Sequence, residues 1–199
     1  MGNILHKPGE LYKVLNDELL RHCRTVTGFT EEEIRHEHAK FFNIAEDGRL
    51  RKPYMEELLG DYIPPGKRRY VKYLTDCVFS AIDTNNDHYI DFLEYLMSVK
   101  FFQTTSPIEK ADFVFRVIDK NGDNFVSRKE IERVLKCLEE YHKKSSNTQV
   151  NTLMSKGVKP AAHAILQQLD EDQTGVIGIS EFTDGWLKDE TIRALFSFQ

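Results

Sequence analysis

Three twelve-residue stretches carry oxygen at the spacing a hard cation needs. Residues 83–94 read Asp-Thr-Asn-Asn-Asp-His-Tyr-Ile-Asp-Phe-Leu-Glu. Residues 119–130 read Asp-Lys-Asn-Gly-Asp-Asn-Phe-Val-Ser-Arg-Lys-Glu, and residues 170–181 read Asp-Glu-Asp-Gln-Thr-Gly-Val-Ile-Gly-Ile-Ser-Glu. Side-chain oxygens stand at positions one, three and five: Asp83, Asn85 and Asp87; Asp119, Asn121 and Asp123; Asp170, Asp172 and Thr174. A dication of calcium's size takes six to eight oxygens at about 2.3–2.6 Å, and a tight loop can deliver them from alternate residues. Position seven offers its backbone carbonyl, so its side chain is free to vary: Tyr89, Phe125, Val176. At position nine, Asp91 and Ser127 act directly or through a water. A glutamate closes each stretch: Glu94, Glu130 and Glu181. It supplies two oxygens and belongs to the outgoing helix, so ion capture also fixes that helix.

The charge distribution agrees. The 199-residue chain has a formal charge of -5, from 27 basic and 32 acidic residues. The three stretches hold eleven acids and three bases, which leaves 24 basic and 21 acidic residues elsewhere. Carboxylates packed that densely repel one another unless a cation sits among them. A nucleic-acid partner would favour a concentrated basic face, so none is expected. No run of apolar residues is long enough to cross a membrane, and no secretory signal opens the chain. Cys23, Cys77 and Cys137 are odd in number and far apart, which predicts reduced, buried thiols and a cytoplasmic protein. No nucleophile–base pair, phosphate loop or zinc spacing is present, so no enzymatic activity is expected.

The elements that must hold these loops read as helices. Residues 71–82, 108–118 and 131–138 place apolar side chains at helical spacing, and alternating strand patterns are almost absent. Ser106 suits an N-cap before Pro107. Residues 60–67 are rich in helix breakers, 101–107 read as a hinge, and 144–160 read as a polar loop with one helical turn near 150–154.

A loop that takes a dication between two helices, with an aliphatic residue at position eight (Ile90, Val126, Ile177) for a short strand pairing, is the EF-hand pattern. Such hands work in pairs, so three predict a fourth. Residues 43–54 supply it, with Gly48 at position six and Leu50 at eight. Ala45 at three and Tyr54 at twelve remove two ligands, which predicts a metal-free hand that only pairs with the second. The expected fold is all-α. Four EF-hands form two paired lobes, 1–103 and 104–199, with a short two-stranded pairing between loops. Up to three calcium ions are expected, with magnesium as an alternative occupant at rest. His88 stands where the backbone must turn with positive φ, Asn124 tolerates that place better, and Gly175 suits it best. His88 weakens the second hand, and neutral Thr174 with Gly178 at position nine weakens the fourth, so the third hand is expected to bind most tightly.

The chain also resembles the neuronal calcium sensor family, which includes recoverin-like and guanylate cyclase-activating proteins. The resemblance rests on Met-Gly-Asn at the start, Gly28-Phe-Thr-Glu-Glu-Glu, and the disabled first hand with Gly48-Arg-Leu. It continues through Asp83-Thr-Asn-Asn-Asp with Tyr89-Ile-Asp-Phe-Leu-Glu-Tyr, and Glu181-Phe-Thr-Asp-Gly followed by Lys188-Asp-Glu. The first hand departs from the family in having Ala45-Glu46 where a Cys-Pro pair is usual. The resemblance implies a sensor that regulates a membrane-associated target. Gly2 is then a candidate for N-myristoylation, although His6 stands where the signal wants Ser or Thr. Lys67, Arg68, Arg69 and Lys72 could assist peripheral membrane association or form a solvated helix start.

A sensor exposes an apolar groove for an amphipathic target helix. The groove candidates are Phe41, Phe42, Tyr73, Phe79, Phe92, Tyr95 and Phe101, each of which would serve equally as core. A calcium buffer, binding the same ions without opening, is the alternative. His36 and His38 lie on different faces of a helix and read as surface residues rather than metal ligands. Trp186 reads as a packing residue or part of the target groove, and Leu195, Phe196 and Phe198 either pack on the C-terminal lobe or occlude that groove until a partner arrives.

Overall fold

The computed structural model describes residues 12–60, 68–142 and 147–196. The chain runs α1 (Asp17–Thr27), α2 (Glu31–Ile44), α3 (Lys52–Gly60), α4 (Arg68–Ile82), α5 (Phe92–Gln103) and α6 (Pro107–Ile118). It continues through β1 (Phe125–Ser127), α7 (Arg128–His142), α8 (Thr148–Ser155), α9 (Val158–Leu169), β2 (Val176–Gly178), α10 (Ile179–Lys188) and α11 (Glu190–Phe196). This is the all-α fold expected, with one small antiparallel sheet among the described residues. The described residues form four helix–loop–helix units: α2–α3, α4–α5, α6–α7 and α9–α10. Among the described residues, no helix is long and apolar enough to cross a membrane.

Local sequence sets the helix ends. Gly28 closes α1 with φ 79°, a conformation that a Cβ would disfavour. Thr30 then opens α2 through a capping box: its hydroxyl accepts from the Glu33 amide at 3.3 Å, and Glu33 accepts from the Thr30 amide at 2.8 Å. Ser106 caps α6 ahead of Pro107, as expected.

The chain divides into two compact units, Met1–Met55 with Phe79–Thr104, and Glu56–Val78 with Thr105–Gln199. The described residues 56–60 and 68–78 group with the second unit. Within the first unit, α1 packs on α2 and α5. Its core holds Leu20, Cys23, Ile34, Phe41, Leu50, Phe79, Ile90, Phe92 and Leu96. Leu50 and Ile90 form a reciprocal antiparallel bridge, both amide bonds being 3.0 Å. The first and second hands therefore pair through their position-eight residues.

In the second unit β1 and β2 pair with Val126 opposite Ile177, and both side chains are fully buried. Helix α6 packs on α10, and α7 on α9. The aromatic heart is Phe182, whose ring centroid lies 5.7 Å from Phe115, 6.0 Å from Trp186 and 6.2 Å from Phe196. Leu195, Phe196 and Trp186 are core residues, and Phe198 lies outside the described residues. The cysteines are free and buried.

The stretch 144–160 differs from the predicted loop; its first three residues lie outside those described. Asn147 caps a two-turn helix, α8, accepting from the Gln149 and Val150 amides at 3.0 Å. Val150 is fully buried in the second core, with Leu153 and Met154 packed against it. Gly157 and Pro160 belong to the start of α9, where the missing proline N–H costs nothing.

Candidate metal centres

Each of the last three loops is organised by the same hydrogen bonds. The position-one carboxylate gathers the amides of positions five and six. Asp83 accepts from Asp87 (3.2 Å) and His88 (3.0 Å), Asp119 from Asp123 (3.2 Å) and Asn124 (2.9 Å), and Asp170 from Thr174 and Gly175 (both 2.9 Å). Position three caps position five in turn: Asn85 to Asp87 at 2.9 Å, Asn121 to Asp123 and Asp172 to Thr174 at 3.1 Å. Position five caps position seven in two loops, Asp87 to Tyr89 at 3.0 Å and Asp123 to Phe125 at 2.9 Å. Thr174 instead donates its hydroxyl to the Val176 carbonyl at 3.2 Å.

The closing glutamate is a clamp. Its Oε1 crosses the loop to the amides of positions two and three. These are Thr84 (2.8 Å) and Asn85 (3.2 Å) for Glu94, Lys120 (3.1 Å) and Asn121 (3.4 Å) for Glu130, and Glu171 (2.9 Å) and Asp172 (3.4 Å) for Glu181. Its Oε2 takes the position-nine amide: Asp91 at 3.1 Å, Ser127 at 2.9 Å and Gly178 at 2.8 Å. One carboxylate on each outgoing helix thus ties both ends of its loop. Asp91 also caps α5, accepting from the Glu94 amide at 2.9 Å, and Ser127 donates its hydroxyl to Glu130 at 2.7 Å.

The predicted turn is present at position six, where φ is 67° at His88, 66° at Asn124 and 86° at Gly175. Position four turns the same way, at Asn86, Gly122 and Gln173. In the fourth hand Asp170, Asp172 and Glu181 bring carboxylate oxygens within 4.8 Å of one another, the group of acids best gathered for a metal among the described residues. Tyr89, Phe125 and Val176 follow the turn, the last two on the paired strands.

Electrostatics separate the loops. Burial raises the carboxyl pKa of Asp91, Glu94 and Asp119, and neighbouring acids add to it. Hydrogen bonds from Thr174 hold Asp172 below the usual range. These oxygen-only donor sets suit a hard dication: two or more carboxylates and a bidentate-capable glutamate in each loop.

The first hand is different. Tyr54 has no carboxylate, Ala45 is buried, and Asp47 is bound by Arg51. Sequence reasoning missed Arg51, because residues 47–51 form a loop in which no helical spacing rule signals the pair. It also missed the place of His38, which is half-buried rather than on the surface. Its ring lies 4.4 Å from Phe42 and 5.0 Å from Phe92, and Nε2 meets the Tyr12 carbonyl at 2.7 Å. His36 is exposed, so the two do not converge. Among the groove candidates, Phe41, Phe79 and Phe92 are fully buried, whereas Phe42, Tyr73, Tyr95 and Phe101 are half-buried. Gly2 and Lys67 lie outside the described residues.

Comparison with known proteins agrees with this geometry. Residues 108–187 match the EF-hand domain pair family. The chain therefore resembles EF-hand proteins, with the matched pair formed by its third and fourth hands. It is 24% identical to visinin of Gallus gallus over 186 residues, 93% of this chain and 94% of that one. It is 30% identical to the guanylyl cyclase inhibitory protein of Lithobates pipiens over 118 residues, 59% of this chain and a little over half (56%) of that relative. It is 27% identical to S-modulin of Aquarana catesbeiana over 139 residues, 69% of this chain and 64% of that one.

Proposed function

We propose that this protein is a calcium sensor that holds three ions, in the second, third and fourth hands, and regulates a target protein. The observation that carries the reading is the threefold clamp, in which Glu94, Glu130 and Glu181 each bind the front and back of a loop and begin the outgoing helix. The ligand sets are Asp83, Asn85, Asp87, Tyr89, Asp91 and Glu94; Asp119, Asn121, Asp123, Phe125, Ser127 and Glu130; and Asp170, Asp172, Thr174, Val176 and Glu181. Magnesium competes at rest, and the first hand takes no ion. Calcium supplies the positive charge that these clustered carboxylates lack.

The rest follows from the chain's own residues. The clamp makes loop and outgoing helix one body, so ordering of the loop reorients α5, α7 and α10. Phe92 and Tyr95 lie on α5, directly beside Glu94, and the Phe92 ring packs at a tilt on Phe41 with centroids 5.6 Å apart. Reorientation of α5 therefore repacks this aromatic cluster and opens an apolar groove for an amphipathic helix. The presence of only four methionines favours a narrow target range. Relatives named for guanylyl cyclase make a guanylyl cyclase the first target to assay. The protein is read as cytoplasmic and non-enzymatic; if Gly2 is acylated, that single chain is a marginal anchor and peripheral membrane association would also draw on the basic residues at 67–72.

The test is calcium-dependent retention on phenyl resin, with cyclase activity measured in the same samples. Retention in calcium and release in chelator are expected. Calcium uptake without retention would establish the buffer instead.

A further inference from the structure

The first hand lacks the donors that mark the other three, yet half of its loop keeps their geometry. Gly48, at position six, turns with φ 74°. Asp47 at position five accepts from the Arg49 amide at 3.2 Å, the counterpart of the Asp87–Tyr89 and Asp123–Phe125 bonds. What differs is what these oxygens face. Arg51 stands at position nine. Its Nη2 reaches Asp47 Oδ2 at 2.5 Å, and its Nη1 reaches both Asp47 Oδ1 and the Arg49 carbonyl at 3.2 Å. The position-five carboxylate of the second and third hands, and the position-seven carbonyl of all three, are the oxygens that the reading above offers to an ion.

We propose that Arg51 is a built-in cation, its guanidinium satisfying the first hand's carboxylate and carbonyl in place of a metal and, with Arg49, bracing Tyr89 of the second hand. A guanidinium suits this task. It is planar, permanently charged and able to bind both carboxylate oxygens at once. The pairing with Asp47 is therefore independent of calcium. The two arginines flank Leu50, which bridges Ile90. Their guanidinium carbons lie 4.9 Å (Arg49) and 5.5 Å (Arg51) from the Tyr89 ring centroid. Tyr89 is position seven of the second hand, so the first hand holds in place a residue whose carbonyl belongs to its neighbour's ligand set. Arg51 is thus a positioning residue. The structural half of the proposal stands on the contacts alone; the effect on the second hand rests on the calcium-binding reading above.

The test compares Arg51→Gln, Arg51→Lys and Asp47→Asn with the parent chain. In chelator, hydrogen exchange at the Leu50 and Ile90 amides should quicken about fivefold in Arg51→Gln, the order expected for a two-point ion pair with cation–π support. Asp47→Asn should reproduce that change, the double variant should add little to it, and Arg51→Lys should recover part. On calcium titration, the His88 amide signal should report affinity about fivefold weaker in Arg51→Gln, with Asn124 and Gly175 unmoved. Unchanged exchange at Leu50 and Ile90 would overturn the built-in cation, and an unchanged His88 titration would overturn the bracing of Tyr89. A parent chain that takes no calcium would instead refute the sensor reading, while the exchange comparison in chelator still decides the role of Arg51.

Discussion

Replacing Glu130 with glutamine separates the charge of the clamp from its shape. The side chain is buried at 4% exposure, and glutamine fills the same volume, so packing is kept. Oε1 accepts from two loop amides, Lys120 at 3.1 Å and Asn121 at 3.4 Å, and Oε2 from the Ser127 amide at 2.9 Å and its hydroxyl at 2.7 Å. Whichever way the amide turns, an NH2 faces a backbone N–H. If it takes the Ser127 side, the hydroxyl can rotate to accept, but the Ser127 amide is still orphaned. One buried unsatisfied donor costs about 1–3 kcal/mol. For a chain of this length that lowers the thermal midpoint in chelator by roughly 2–12 °C. The ion additionally loses one oxygen and a full charge. Taking a charged hydrogen bond of about 1.5–3 kcal/mol as the lower bound, third-hand affinity falls at least about 10- to 150-fold. Calorimetric titration beside scanning calorimetry reads both effects. Three sites of undiminished affinity, or an unmoved midpoint in chelator, would refute the clamp.

Other substitutions follow from particular contacts. A Cβ on Gly185 would clash with the buried Leu169 side chain, so Gly185→Ala should cost about 1–3 kcal/mol and lower the melting temperature of the second unit. His88 holds φ 67°, so His88→Gly should relieve roughly 1 kcal/mol of steric strain and tighten the second hand, measured by calcium titration. Burial raises the pKa of Asp91, Glu94 and Asp119, whereas Asp172 is held low. On acidification from neutral pH the raised carboxyls take protons first, so the second and third hands should lose calcium before the fourth. By the same sign, in chelator these three groups stabilise the fold below the ordinary carboxylate range and lose that contribution as pH rises through their raised values. Titrations read by amide signals of each loop across pH 4–7 check the order.

The loops were legible because ligand chemistry fixes residue type at fixed intervals, and Leu50, Ile90, Val126 and Ile177 showed the pairing at position eight. Contacts between distant segments were not. Val150, Leu153 and Met154 are spaced for a single helical turn, and only the second core shows that Val150 is fully buried and that the helix begins at Thr148. His38 reads as a charged-face residue until Tyr12, Phe42 and Phe92 surround it. Arg51 reads as an ordinary basic residue, because what matters is its reach to a backbone carbonyl two residues earlier. The grouping of 56–60 and 68–78 with the second unit likewise depends on contacts of Tyr73, which packs against that core.

The most direct measurement is ion stoichiometry by native mass spectrometry and calorimetry on chelator-stripped protein. The account predicts three calcium ions per chain, two for Glu94→Gln, and a formal charge that moves from -5 to +1 as the sites fill. A chain that takes up no calcium at millimolar concentration, or one that keeps three ions in the Glu94→Gln variant, would contradict it.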